Sequence, residues 1–74
     1  MSLPFTAEKF GNKIRQLRQE HNWTLTQLAE ITGINENYLR KIEEGTAKRL
    51  KISHLEIFVK CFNTNLEEIL TLTE

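Results

Sequence analysis

Glu36, Asn37, Arg40 and Lys41 stand at i, i+1, i+4 and i+5 near the middle of the chain. On an α-helix these positions share one face. Their chemistry is hydrogen bonding to flat polar edges. An asparagine amide can bind adenine through N7 and N6, a guanidinium or ammonium can donate to guanine O6 and N7, and a carboxylate can accept from cytosine N4. Each residue also has a plainer use. Glu36 can favour the start of its own helix and repel phosphates. Arg40 can fold back on Glu36 or Glu44 at i−4 or i+4, and Lys41 can stop at a phosphate. Tyr38 can offer its hydroxyl to a phosphate or lie half-buried beside Leu39. Thr24, Thr26, Asn35, Lys48, Arg49 and Lys51 supply hydroxyl, amide and cationic groups suited to phosphate oxygens. No catalytic residue is expected. The chain has no paired carboxylates in a glycine-rich setting, no phosphate loop and no nucleophile beside a base.

These side chains need short, well-delimited helices, and the stretch from Trp23 to Gly45 encodes two. Thr24 and Gln27 form the pattern of a capping box, with Trp23 and Leu28 at staple spacing. Gly33 follows the last turn, where a left-handed residue ends a helix at little cost. Ile34 precedes a second cap, Asn35, and Glu36 to Glu44 continues helical up to Gly45. Leu39 and Ile42 form the inner face of this second helix. Its outer face carries amide and basic groups, as a reader of the major groove requires. The start of the preceding helix, at Leu25 and Thr26, offers free N–H groups to an anion.

The remaining segments supply a core. Thr6 can cap a first helix stapled by Phe5 and Phe10. Phe10, Ile14, Leu17 and His21 follow on one face, and the helix should end near Asn22. Gly11 costs ~1 kcal/mol inside a helix relative to Ala, so it calls for a packing reason. Leu50 and Ile52 should anchor the loop after Gly45. A fourth helix over about 53–62 carries Leu55, Phe58, Val59 and Phe62. Asn65 and Glu68 suggest a capping box for a short fifth helix with Leu66, Ile69 and Leu70 inward. The expectation is an all-α fold of five helices in one domain, residues 1–74, with the helix-turn-helix at 24–45 and a core that also includes Trp23, Leu28, Ala29 and Ile34.

Composition narrows the partners. Cys61 is the sole cysteine, which excludes an internal disulfide, and His21 and His54 are too far apart for metal-ligand spacing. Neither a metal nor a cofactor is expected, and no small-molecule effector is evident. Cys61 itself suits a small buried or half-buried position. No apolar run approaches the ~20 residues of a membrane span. The N-terminus lacks the pattern of a secretory signal, so a cytoplasmic, nucleoid-associated location is expected. Net charge is zero, but residues 40–51 hold five basic against two acidic groups and residues 52–74 one against four. A basic end and an acidic end suit a protein that faces DNA with one side.

The stretch resembles the helix-turn-helix of the lambda-repressor-like (Cro/C1, xenobiotic-response-element type) DNA-binding domains. The likeness rests on Ala29, Gly33, Ile34, Leu39 and Ile42, and on the closing Ile42-Glu43-x-Gly45. It implies a five-helix fold and a transcriptional regulator that binds a two-fold symmetric operator as a homodimer, with the third helix in the major groove. It further implies that Arg18 pairs with Glu43, and that a small residue is favoured at Gly11. Two departures stand out. Leu25 replaces a frequent glutamine, leaving only its backbone N–H for phosphate and its side chain for a thymine methyl or Trp23. The loop after Gly45 is one residue longer than the commonest version. Small stand-alone regulators, such as restriction–modification controller proteins and phage repressors, are similar in extent. Any dimer would then use the domain itself, through Ile57, where the family commonly has a charged residue, with Leu70 and Leu72. The alternative is a protein-interaction module, an antitoxin or adaptor, using the same fold.

Overall fold

The computed structural model describes residues 7–70. The expected cap and staple at Thr6 and Phe5, and Leu72, lie outside the described residues. Five helices follow in order: α1 (Ala7–Glu20), α2 (Leu25–Thr32), α3 (Glu36–Glu44), α4 (Ile52–Cys61) and α5 (Leu66–Leu70), with no strand among the described residues. The expected all-α, five-helix fold is observed.

Local signals set the boundaries. Asn22 turns the chain at φ 59° after α1. Thr24 closes a complete capping box: its hydroxyl oxygen accepts from the Gln27 N–H at 3.0 Å, and its own N–H donates to the Gln27 side chain at 2.8 Å. Gly33 and Gly45 end α2 and α3 in the left-handed region, at φ 74° and 79°, where a side chain would be strained. Asn35 caps α3 by accepting from the Tyr38 N–H at 3.1 Å.

Phe10 and Ile14 of α1, Leu28 of α2, Leu39 and Ile42 of α3, Phe58 of α4 and Ile69 of α5 are buried, joined by Ile34 and Phe62. An aromatic series runs from this centre to the surface. Phe10 meets Phe58 at 6.1 Å, Phe58 stacks on Phe62 at 6.1 Å, Phe62 on Trp23 at 5.8 Å, and Trp23 meets His21 at 4.4 Å. Leu17, Trp23, Ala29, Leu55 and Val59 pack partly buried around the core.

Several expectations need correction. Ile52 does not anchor the loop: it opens α4, one residue earlier than expected, and is 72% exposed. Leu50 and Ala47 pack against the core there instead, because Ile52 sits at the free end of the helix, ahead of the turns that meet α2 and α5. In α5 only Ile69 is buried, while Leu66 and Leu70 are 44% and 37% exposed. A helix of five residues has room to bury one side chain fully against α1 and α4. His21 lies at the surface, on Trp23, beyond the buried part of the α1 stripe. Asn65 does cap α5 by accepting from the Glu68 N–H at 2.7 Å, but the Glu68 carboxylate meets Lys13 of α1 at 3.4 Å.

Gly11 has a clear packing role. A Cβ there would run into the Ile42 carbonyl oxygen and stand 2.7 Å from that of Glu43. The missing side chain lets α1 lie directly on the last turn of α3. Gly11→Ala should therefore destabilise the protein despite alanine's better helix propensity. A net loss of ~1–3 kcal/mol in urea denaturation is expected, the usual cost of overpacking. An unchanged midpoint would show that α1 can lift off α3 freely.

Candidate nucleic-acid interface

The two faces of α3 have opposite environments. Leu39, Ile42 and Glu43 are buried on one side, whereas Asn37, Arg40 and Lys41 are exposed on the other, with Glu36 half-exposed. The inward glutamate is 5% exposed and needs compensating charge. Arg18 supplies it as a fork: Nε donates to Oε2 at 2.7 Å and Nη2 to Oε1 at 3.0 Å. Its Nη1 donates to the Trp23 carbonyl oxygen at 3.0 Å, tying the α1–α2 turn into the same cluster. Hydrogen bonding to Glu43 raises the Arg18 pKa, against the opposing effect of burial. Arg15 adds longer contacts, Nε to Glu43 Oε1 at 3.4 Å and Nη2 to the Glu43 carbonyl oxygen at 3.3 Å. Sequence reading missed Arg15, although its position three residues before Arg18 puts both on one face of α1.

On the outer face the side chains form a connected series. The Thr26 hydroxyl of α2 donates to Glu36 Oε1 at 3.1 Å. Arg40 donates from Nη2 to Glu36 Oε2 at 3.4 Å and from Nη1 to Asn37 Oδ1 at 2.7 Å. Lys41 lies beside this series, with no ion pair among the described residues. Sequence spacing anticipates the Arg40–Glu36 contact but not the one that crosses from α2.

The basic loop is held to the same helix. The Tyr38 hydroxyl donates to the Arg49 carbonyl oxygen, and its half-buried ring lies 5.3 Å from that of His54. The N–H groups of Thr46 and Ala47 donate to the Lys41 carbonyl oxygen at 2.9 and 3.2 Å. Tyr38, Lys41, Thr46, Ala47, Lys48 and Arg49 thus line an open hollow, with Lys48, Arg49 and Lys51 exposed. At the start of α2 the capping box occupies the amides of Thr24 and Gln27 and leaves those of Leu25 and Thr26 without an intrahelical partner. The Leu25 side chain packs against the core.

The C-terminal helices present a different surface. Glu56, Val59, Lys60 and Leu66 line a shallow cleft between α4 and α5. Ile57, expected to stand exposed, is instead half-buried against the core. Burial pushes the half-buried Cys61 thiol up to about 11, so it remains neutral well above pH 7. No group of metal-binding side chains occurs among the described residues, and none of their helices is long and apolar enough to cross a membrane.

Residues 13–74 match the model of the Cro/C1-type HTH DNA-binding domain. The chain belongs to this family. Control protein C.SmaI of Serratia marcescens is 31% identical over 64 residues, which span 86% of this chain and 75% of that protein. Among solved structures, the restriction-modification controller protein C.AhdI from Aeromonas hydrophila superposes with a TM-score of 0.78 over 85% of this chain and 94% of that one, at 21% identity. That likeness concerns the fold. SinR, the master regulator for biofilm formation, solved in complex with DNA, gives a TM-score of 0.77 at 30% identity, over 82% of this chain and 97% of that chain. The family accounts for the two helices joined at Gly33 and makes this chain a helix-turn-helix DNA-binding regulator.

The buried tie behind the outer face has a measurable weight. Among the described residues, Arg18→Ala leaves Glu43 with only the half-exposed Arg15 as a cationic partner. It should cost ~3 kcal/mol in chemical denaturation, the usual penalty for stranding a buried charge. Arg15→Ala should cost under ~1 kcal/mol, because its side chain is 42% exposed and solvent screens it. A loss below ~0.5 kcal/mol for Arg18→Ala would mean that the pair is weakly coupled to folding.

Proposed function

We propose that residues 1–74 act as one sequence-specific DNA-binding domain that regulates transcription. It binds a two-fold symmetric operator as a homodimer, with α3 in the major groove. The observation that carries this reading is the outer face of α3, where Glu36, Asn37, Arg40 and Lys41 form a polar surface on a helix locked from behind by Arg18 and Glu43. Such a face, rigid and rich in amide and charged groups, suits base edges. The basic loop with Lys48, Arg49 and Lys51, the hydroxyl of Thr24 and the free amides at Leu25 and Thr26 flank it as phosphate contacts, with Asn35 beside them. The Thr26 and Tyr38 hydroxyl protons are already engaged within the protein, so those residues act on DNA mainly by positioning their neighbours.

The relatives support the reading. C.SmaI and C.AhdI are named as controller proteins, and SinR was solved in complex with DNA. For the homodimer the support is the cleft of Glu56, Val59, Lys60 and Leu66, next to a helix whose Leu66 and Leu70 are exposed. A second copy would cover this apolar surface and leave the α3 face open.

Selection from random duplexes should yield inverted repeats with half-site centres about one helical turn apart. Asn37→Ala should relax preference at one base pair per half-site by ~1–3 kcal/mol. Arg49→Ala should weaken all sequences alike and lower the salt slope by about 1. The absence of any selected motif would reject the reading. Leu70→Glu should convert a dimer to a monomer in sedimentation. A wild type that sediments as a monomer at high micromolar concentration would reject the homodimer alone.

A further inference from the structure

Two of the candidate readers on the outer face of α3, Asn37 and Arg40, are not independent. We propose that Arg40 is a positioning residue that fixes the amide of Asn37 for one base, rather than a reader of a base of its own. This rests on the DNA-binding reading above.

Arginine carries donors only, and an asparagine amide has one accepting and one donating end. The contact of Arg40 Nη1 at 2.7 Å therefore selects the oxygen of Asn37 and directs Nδ2 to the other side. An exposed asparagine would otherwise populate both orientations about its last torsion, which is broad and roughly two-fold. Orientation matters because adenine presents an acceptor, N7, next to a donor, N6–H. Only one order of amide oxygen and nitrogen matches that pair. Oδ1 accepts from Arg40 through one lone pair and keeps the second for N6–H.

The same geometry ties Arg40 to its own helix. Its Nη1 is committed to Asn37 and its Nη2 to Glu36 Oε2, at 3.4 Å. A bidentate contact to guanine would have to come from its three remaining N–H donors, in the orientation that these two bonds already set. Glu36 is itself held from α2, because Thr26 donates to its other oxygen at 3.1 Å. The series Thr26–Glu36–Arg40–Asn37 therefore begins on one helix of the motif and ends on the other. Each link is exposed and weak alone, but together they restrict a side chain that has little else around it.

The test measures discrimination at each base pair of the selected operator, using purified full-length protein and single-base-pair variants of that operator. Arg40→Ala should lose about tenfold of the preference at the base pair that Asn37→Ala relaxes. The double variant should discriminate no worse than Asn37→Ala alone. Thr26→Val should lose about threefold at the same base pair. Arg40 is 47% exposed, so its loss should leave the fold intact, as circular dichroism and thermal denaturation can check. Relaxation at a different base pair would make Arg40 a direct reader and overturn the proposal. Equal weakening toward every duplex would make it a phosphate contact and overturn it as well. A wild type that selects no motif overturns the DNA reading and this proposal together.

Discussion

A carboxylate inside a small hydrophobic core is costly unless cations meet it, and the arrangement of this chain follows from that cost. Glu43 lies at the inner end of α3 and receives Arg18 as a two-pronged fork, with Arg15 beside it. The same Arg18 holds the carbonyl of Trp23, so one guanidinium joins α1, α3 and the turn leading into α2. Gly11 makes the approach possible, since any side chain there would collide with the carbonyls of the last turn of α3. The polar tie and the missing side chain work together. One sets the rotation of α3 about its axis, and the other sets its distance from α1.

With that rotation fixed, the outward residues of α3 are fixed too. Leu39 and Ile42 point into the core, so Asn37, Arg40 and Lys41 point away from it. Tyr38 sits between the two faces and uses its hydroxyl to hold the backbone of Arg49. Through that bond the basic loop takes its place from the helix it accompanies. The acidic residues and exposed leucines of the C-terminal helices lie on other elements, which separates the two kinds of surface by chain position.

Helix ends and the turn were legible in the sequence because their signals are local. The Thr24–Gln27 box, the Asn35 cap and the left-handed Gly33 and Gly45 depend on residues within a turn of one another. The Arg18–Glu43 pairing came from family register, since 25 residues separate its members. Arg15 and the Thr26–Glu36 contact were not legible, because each depends on how one helix lies across another. Hydrophobicity alone misled at Ile52, Leu66 and Leu70. Apolar periodicity gives the side of a helix that can be buried, but the neighbours determine how far along it burial extends.

Anchoring and presentation share α3 but no residue: Leu39, Ile42 and Glu43 hold it, while Glu36, Asn37, Arg40 and Lys41 face outward. Exposed substitutions away from caps usually change stability by no more than ~0.5 kcal/mol. A lineage carrying this chain can therefore rewrite its outward surface step by step without passing through an unfolded intermediate. The contact from Thr26 to Glu36 qualifies that freedom. A change at Glu36 alters what α2 must offer, so the two helices of the motif should drift as a pair at that point and separately elsewhere.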